Sequence, residues 1–210
     1  PALGDLAGDG DADLVCGSEN GTLLYAENTA GPNQPFQFGP LSGNYMGIDI
    51  GGKSVPQIID LDRDGLLDLI VGQRTINQDP DNLELAGNIN FFRNRGTTTN
   101  PMFDSDPELD GNTPYLGRGN TIELGPNSSN AGSSAPFFYD TEEDFLLFSG
   151  SSSGNLLVYD QIEGKLSGSF NQVSANYGNL NVGIETRISV ADINNDGFLD
   201  IVLGNKRGGL

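Results

Sequence analysis

Residues 60–72 read Asp60-Leu61-Asp62-Arg63-Asp64-Gly65-Leu66-Leu67-Asp68-Leu69-Ile70-Val71-Gly72. Three acids at alternate positions, a Gly, a fourth acid and an apolar run closed by Gly stand in one short stretch. The order returns at Asp5 to Asp13 followed by Leu14-Val15-Cys16-Gly17, and at Asp192 to Asp200 followed by Ile201-Val202-Leu203-Gly204. An eroded copy runs from Asp140 to Asp144 and on through Phe145 to Gly150. Pro1, Pro56 and Pro136 each stand four residues before the leading Asp. A fixed period is the mark of a repeat architecture, and the closing Gly residues give a period near 55 with extra residues in the second unit.

Composition sets the outer bounds. The chain has 210 residues, 36% of them hydrophobic, with 30 Gly, one Cys and no His or Trp. That is enough apolar surface for a core, while zinc sites, His-based triads and disulfide frameworks lack their residues. No apolar run reaches the length of a membrane span, and no basic-then-apolar leader opens the sequence. Lys and Arg total 10 against 29 Asp and Glu, a net charge of −19. Such a surface repels phosphate backbones and anionic lipid, so neither nucleic-acid binding nor membrane insertion is expected. Asp outnumbers Glu, and eleven of the 20 Asp residues lie in the three clusters.

Each unit reads as four short strands. In the second, Gln57-Ile58-Ile59 enters the acidic loop and Leu69-Ile70-Val71 leaves it; Ile89-Asn90-Phe91-Phe92 and Met102-Phe103 follow. Stretches Gly21–Asn28, Gly87–Asn94 and Gly154–Asp160 share the third-strand pattern. Sustained helical periodicity is absent, so helix content should be negligible. Units of roughly 50 residues that cannot bury both faces alone predict an all-β fold of β-propeller blades, each of four antiparallel strands. Residues 1–210 are read as one partial propeller with no second domain. Blade motifs begin near 1, 56, 136 and 188, giving about 3.5 blades of a seven-bladed ring in a longer protein.

The acidic loops have a direct chemistry. Ca²⁺ takes six to eight oxygen ligands, and alternating Asp side chains in a tight loop converge on one point while Gly at the sixth position allows the turn. The expected ligands are Asp60, Asp62, Asp64, the carbonyl of Leu66 and Asp68; then Asp192, Asn194, Asp196, the carbonyl of Phe198 and Asp200. Ala7 removes one ligand from the first loop, leaving Asp5, Asp9, Asp13 and the Asp11 carbonyl for a weaker site. The eroded loop lacks the Gly and the spacing, and no metal is expected there. An EF-hand needs Glu at position 12, where Cys16, Val71 and Leu203 stand here, each inside a strand. The competing reading is a plain Asp-Gly turn without an ion. Three like loops weigh against it, because four packed carboxylates repel one another.

The units resemble FG-GAP, or VCBS-type, repeats, the blades of integrin-α-like propellers, in Pro56 to Gly72 and its two counterparts. Gly87 to Phe103 is similar to secreted propellers of Bacteroidetes, which often end in a sorting domain for type IX secretion. The resemblance implies structural calcium that pins the hairpin between a blade's first two strands. It also implies a secreted or cell-surface location.

Two function classes follow. One is a non-catalytic, calcium-stabilised propeller mediating adhesion to a protein or glycan, with other components of a cell-surface or secretion complex as further partners. The other is the propeller part of a calcium-dependent extracellular polysaccharide lyase. The first is favoured because no catalytic constellation is visible. The long connections 73–86 and 104–134 fall on the face away from the calcium loops, which makes Arg74, Asn77, Tyr115 and Arg118 candidate ligand contacts. Cys16 reads as a small core residue, and Tyr25, Phe91, Phe92 and Tyr159 read as core. Gly51-Gly52-Lys53-Ser54 lacks the leading Gly of a phosphate loop, and Glu142-Glu143 reads as solvated charge.

Overall fold

A computed structural model describes residues 1–76, 87–107, 116, 131–206 and 208. Asn77, Tyr115 and Arg118 lie outside the described residues. Among the described residues thirteen strands occur, paired antiparallel. The first sheet is β1 (Ala2–Gly4), β2 (Asp13–Gly17) and β3 (Leu23–Ala26). The second is β4 (Ser54–Ile59), β5 (Asp68–Ile76) and β6 (Ile89–Phe92), with β7 (Ala131–Ser133) paired to the far end of β5. The third is β8 (Ala135–Asp140), β9 (Phe145–Gly150), β10 (Leu156–Asp160) and β11 (Asn171–Ser174). The last pair is β12 (Arg187–Ala191) and β13 (Asp200–Gly204). No α-helix occurs among the described residues; Tyr45–Gly47 and Tyr177–Asn179 are single 3-10 turns.

The sheets stack face to face with their first strands in a row, β1 against β4, β4 against β8 and β8 against β12. This is the arrangement of successive blades in a partial propeller. Strand alternation explains it. On β5, Leu69 and Val71 point to the first sheet, where with Phe92 of β6 they join a cluster with Leu6, Val15 and Leu23. Ile70 between them points the other way, into a cluster with Phe91, Phe138, Phe145 and Leu147. Phe148 on β9 then faces Val190 of β12 in a third cluster. Both faces of the middle sheets are therefore buried, which is why their strands read as unbroken apolar runs.

The Gly that closes the apolar run in the first three sheets, Gly17, Gly72 and Gly150, is explained by the stacking. A Cβ at Gly17 would lie 2.0 Å from the Ser54 carbonyl oxygen of the next sheet, and one at Gly150 would lie 2.1 Å from that of Thr186. Only a residue without a side chain lets neighbouring backbones approach so closely.

Two expectations need correction. Met102-Phe103 is not a strand; Arg95 N–H bonds the Met102 carbonyl at 2.8 Å, and buried Phe103 packs against the first sheet's core instead. A full row of four strands occurs in the third sheet, whereas the first has three, with isolated bridges Asn28–Phe38 and Tyr25–Ser42 in place of a fourth. Asn28 and Asn94 account for the difference. The Asn28 Oδ1 accepts the N–H of Ala30 and Gln37, and the Asn94 Oδ1 accepts those of Gly96 and Met102. Each side chain satisfies donors that a fourth strand would otherwise take. Phe91, Phe92 and Tyr159 are buried as expected, while Tyr25 is half-buried and stacked on Tyr45 at 4.7 Å. Cys16 is only half-buried.

Candidate metal centre

The three complete acidic hairpins share one backbone path. Their fourth residues, Gly8, Arg63 and Asn195, have φ of 68°, 59° and 57°, and their sixth, Gly10, Gly65 and Gly197, have 90°, 89° and 87°. Two left-handed residues turn the chain back on itself, and the sixth is Gly in each loop because that conformation penalises a Cβ.

The leading Asp holds that path. In the second loop the Asp60 carboxylate accepts Asp64 N–H at 3.1 Å and Gly65 N–H at 2.9 Å. Asp5 does the same for Asp9 and Gly10, and Asp192 for Asp196 and Gly197. The third-position acceptor, Asp62 or Asn194, takes the N–H of the fifth residue at 3.1 or 2.9 Å. The fifth, Asp64 or Asp196, takes the N–H of Leu66 or Phe198, each at 2.9 Å. Asp9 takes that of Asp11 at 3.3 Å. Each hydrogen bond leaves carboxylate lone pairs over for a further partner.

The final Asp works differently. Asp68 is fully buried and receives Leu61 N–H at 3.1 Å and Asn94 N–H at 2.8 Å. Asp13 receives Leu6, Ala7 and Asn28 N–H, and Asp200 receives Ile193 N–H. In the first two loops this residue ties the loop entrance to the end of the third strand, a role that the spacing alone does not disclose. Burial pushes the Asp68 carboxyl up to about 7 even though the Asn94 and Leu61 amides oppose it, and the charges of Asp64 and Asp60 add to the rise. A dication among these oxygens reverses that balance.

Among the described residues, Asp60, Asp62 and Asp68 bring carboxylate oxygens within 4.8 Å of one another. Asp64 does not join that group, and neither the first nor the last loop gathers three carboxylates as closely. The donor set is all oxygen, which suits a hard cation such as Ca²⁺. Arg93, beside the loop, pairs with Asp62 and supplies one positive charge of its own. Asp11, whose carbonyl is the expected ligand, turns its carboxylate to the N–H of Gly31 at 2.6 Å.

The eroded third loop spends its acids elsewhere. Hydrogen bonds from Arg63 hold the Asp140 carboxyl below its ordinary range. Asp144 accepts the N–H groups of Phe145, Gln161, Ile162 and Glu163. These outweigh its desolvation and keep it low. Arg63 of the second acidic loop thus fastens that loop to the third sheet. It grips Asp140 with two nitrogens at 3.1 and 2.8 Å, reaches Glu163 at 2.7 Å and covers the Phe145 ring at 4.4 Å. The bidentate fork is specific to Arg. Arg63→Ala is expected to lower the melting temperature more than Lys165→Ala, whose ammonium meets only the Gln161 amide at 3.0 Å, and Arg63→Lys should recover little of the loss. Scanning calorimetry of the three variants checks this; equal melting points would refute it.

On the opposite face, Arg74 pairs with Glu185 at 3.2 Å. Lys53 and Lys206 reach the same carboxylate at 2.9 and 3.1 Å. Burial alone would raise Glu185, but the two ammonium groups and the charge of Arg74 bring it down to about 2. Arg74 was expected near a ligand surface; it is also part of this ion-pair hub.

Stacked antiparallel blades whose first two strands are joined by acidic, Gly-turned hairpins define a β-propeller repeat protein. Residues 5–71 match the FG-GAP-like repeat and residues 186–209 match the FG-GAP repeat. These two stretches carry FG-GAP repeats, which are typical of propeller and adhesion-type domains that are generally non-catalytic. No curated protein and no solved structure matches the chain. No helix among the described residues is long and apolar enough to cross a membrane.

Proposed function

We propose that the chain is a non-catalytic, calcium-stabilised propeller segment of a secreted or cell-surface protein that binds a protein or glycan. One observation carries the calcium reading. Three hairpins far apart in sequence fold around the leading Asp by the same hydrogen bonds, which leave carboxylate lone pairs over for a further partner. The ligands are those of the three loops, with Asp60, Asp62 and Asp68 as the best-gathered set. Calcium here supplies charge neutralisation and a clamp across the hairpin. Asp60 and Asp192 hold their loops in shape, and Asp68 anchors its loop to the third strand. The first site, short of a ligand at Ala7, is the weaker.

Extracellular calcium modules bind at about 10⁻⁴–10⁻³ M, so calcium at about 10 mM stabilises each site by roughly 1.4–2.7 kcal/mol. For a chain of this size two such sites raise the melting temperature by roughly 10 °C over a chelated sample. Asp64→Ala should remove more of that increment than Asp9→Ala. A melting curve indifferent to chelator, together with no calcium heat in titration calorimetry, would overturn the calcium reading.

A further inference from the structure

The inner strands β1, β4, β8 and β12 border a concave trough of about 890 Å³. At the end away from the acidic hairpins, four of the ten cations of this acidic chain collect. Lys53, Arg74 and Lys206 surround Glu185, and Lys53 also reaches Glu19 at 3.4 Å. Arg187, which opens β12, is the fourth, so four cations meet two carboxylates.

Arg187 is the unusual member. It is half-buried and lines the trough beside Lys53, yet among the described residues it forms no ion pair. Its hydrogen bond runs from Nη1 to the Thr186 carbonyl at 3.3 Å, whereas a guanidinium offers five N–H donors. Burial disfavours its charge, Glu185 opposes that effect from nearby and Arg74 reinforces it. A guanidinium that has lost water without gaining a carboxylate is a ready acceptor for one.

The walls decide what kind of molecule carries that carboxylate. Apart from the exposed Ser189, their polar side chains are already engaged. Gln57 exchanges both amide groups with the Phe138 backbone at 2.8 and 2.7 Å, and the Ser54 hydroxyl is shared among Ser18 and Thr22 at 2.8–3.3 Å. Most of the remaining lining is apolar, including Leu3, Val55, Phe137 and Ile188. A saccharide needs many free hydrogen-bonding partners, and an acidic polysaccharide would carry repeated charge towards a molecule of net −19. A short peptide segment with one acid among apolar residues meets both constraints.

We propose that the trough docks such an acidic peptide segment of a partner protein, its carboxylate received by Arg187 beside Lys53 and its apolar side chains lying on Val55, Phe137 and Ile188. The site is separate from the acidic hairpins and does not depend on calcium chemistry. The test follows the Arg187 Nε–Hε resonance of the intact chain by NMR, in calcium-replete buffer. The probes are an acetylated, amidated hexapeptide with one Asp among Val and Leu, its Asp→Asn twin, and oligogalacturonate. The acidic peptide is expected to shift the resonance saturably, while the Asn twin binds at least about tenfold more weakly. By fluorescence polarisation with the same peptide, Arg187→Gln should lose about tenfold in affinity while keeping the melting temperature of the parent chain. Equal binding of the twin, no shift with the acidic peptide, or a saturating shift with oligogalacturonate alone would each overturn the proposal.

Discussion

Asp68→Ala is expected to destabilise the chain by about 4 kcal/mol, because two buried amides, Leu61 N–H and Asn94 N–H, lose their acceptor at about 1–3 kcal/mol each. In a chain of this length that is roughly a 10 °C fall in melting temperature. Asp60→Ala removes a carboxylate whose amide partners are exposed, so its structural cost is smaller. Chelation separates the two roles. If Asp60 acts mainly through calcium, the penalty of Asp60→Ala shrinks in chelator, whereas that of Asp68→Ala persists because the orphaned amides remain. Urea unfolding of both variants with and without chelator checks this. A calcium-dependent penalty of equal size at both positions would show that Asp68 is a ligand and nothing more.

The contrast marks what could be read from the sequence. The hairpins, their Gly turns and the stacking of repeat units were legible because each rests on local rules, alternation of acids, left-handed Gly and two-faced apolar strands. The anchoring role of Asp68 was not legible, since its partner Asn94 lies 26 residues away and contributes a backbone amide that any residue would offer. Arg63 reads as a solvated loop residue, yet its three acceptor contacts and its aromatic platform all belong to the third sheet. Glu185 carries no motif, and its hub joins residues from both sides of the third sheet. The fourth strand of the second unit was overread because Met102-Phe103 has strand-like residues. Asn94 had already claimed the Met102 amide, leaving no regular ladder to extend.

The closing Gly gives the second large effect. Gly72→Ala places a Cβ 2.3 Å from Pro136 Cδ on the neighbouring sheet and 2.6 Å from the carbonyl oxygen of Ser134, which leads into that sheet. Neither neighbour can yield cheaply. The Ser134 backbone is held by its N–H to the Gln73 carbonyl at 3.1 Å, and Pro136 on β8 is paired in register with Ser149 on β9. Relief therefore requires the second and third sheets to separate, opening the cluster in which Ile70, Phe138 and Phe145 pack. Overpacking in a rigid setting costs about 1–3 kcal/mol, and a backbone obstacle puts this case at the upper end. Gly43→Ala is the matched control, because a Cβ there meets nothing within 4 Å and the change at an exposed site should be nearly neutral. Denaturant midpoints of the two variants decide the matter. A Gly72→Ala chain as stable as Gly43→Ala would mean that the blades do not press together at this strand, and the close backbone approach assigned to Gly17 and Gly150 would fall with it.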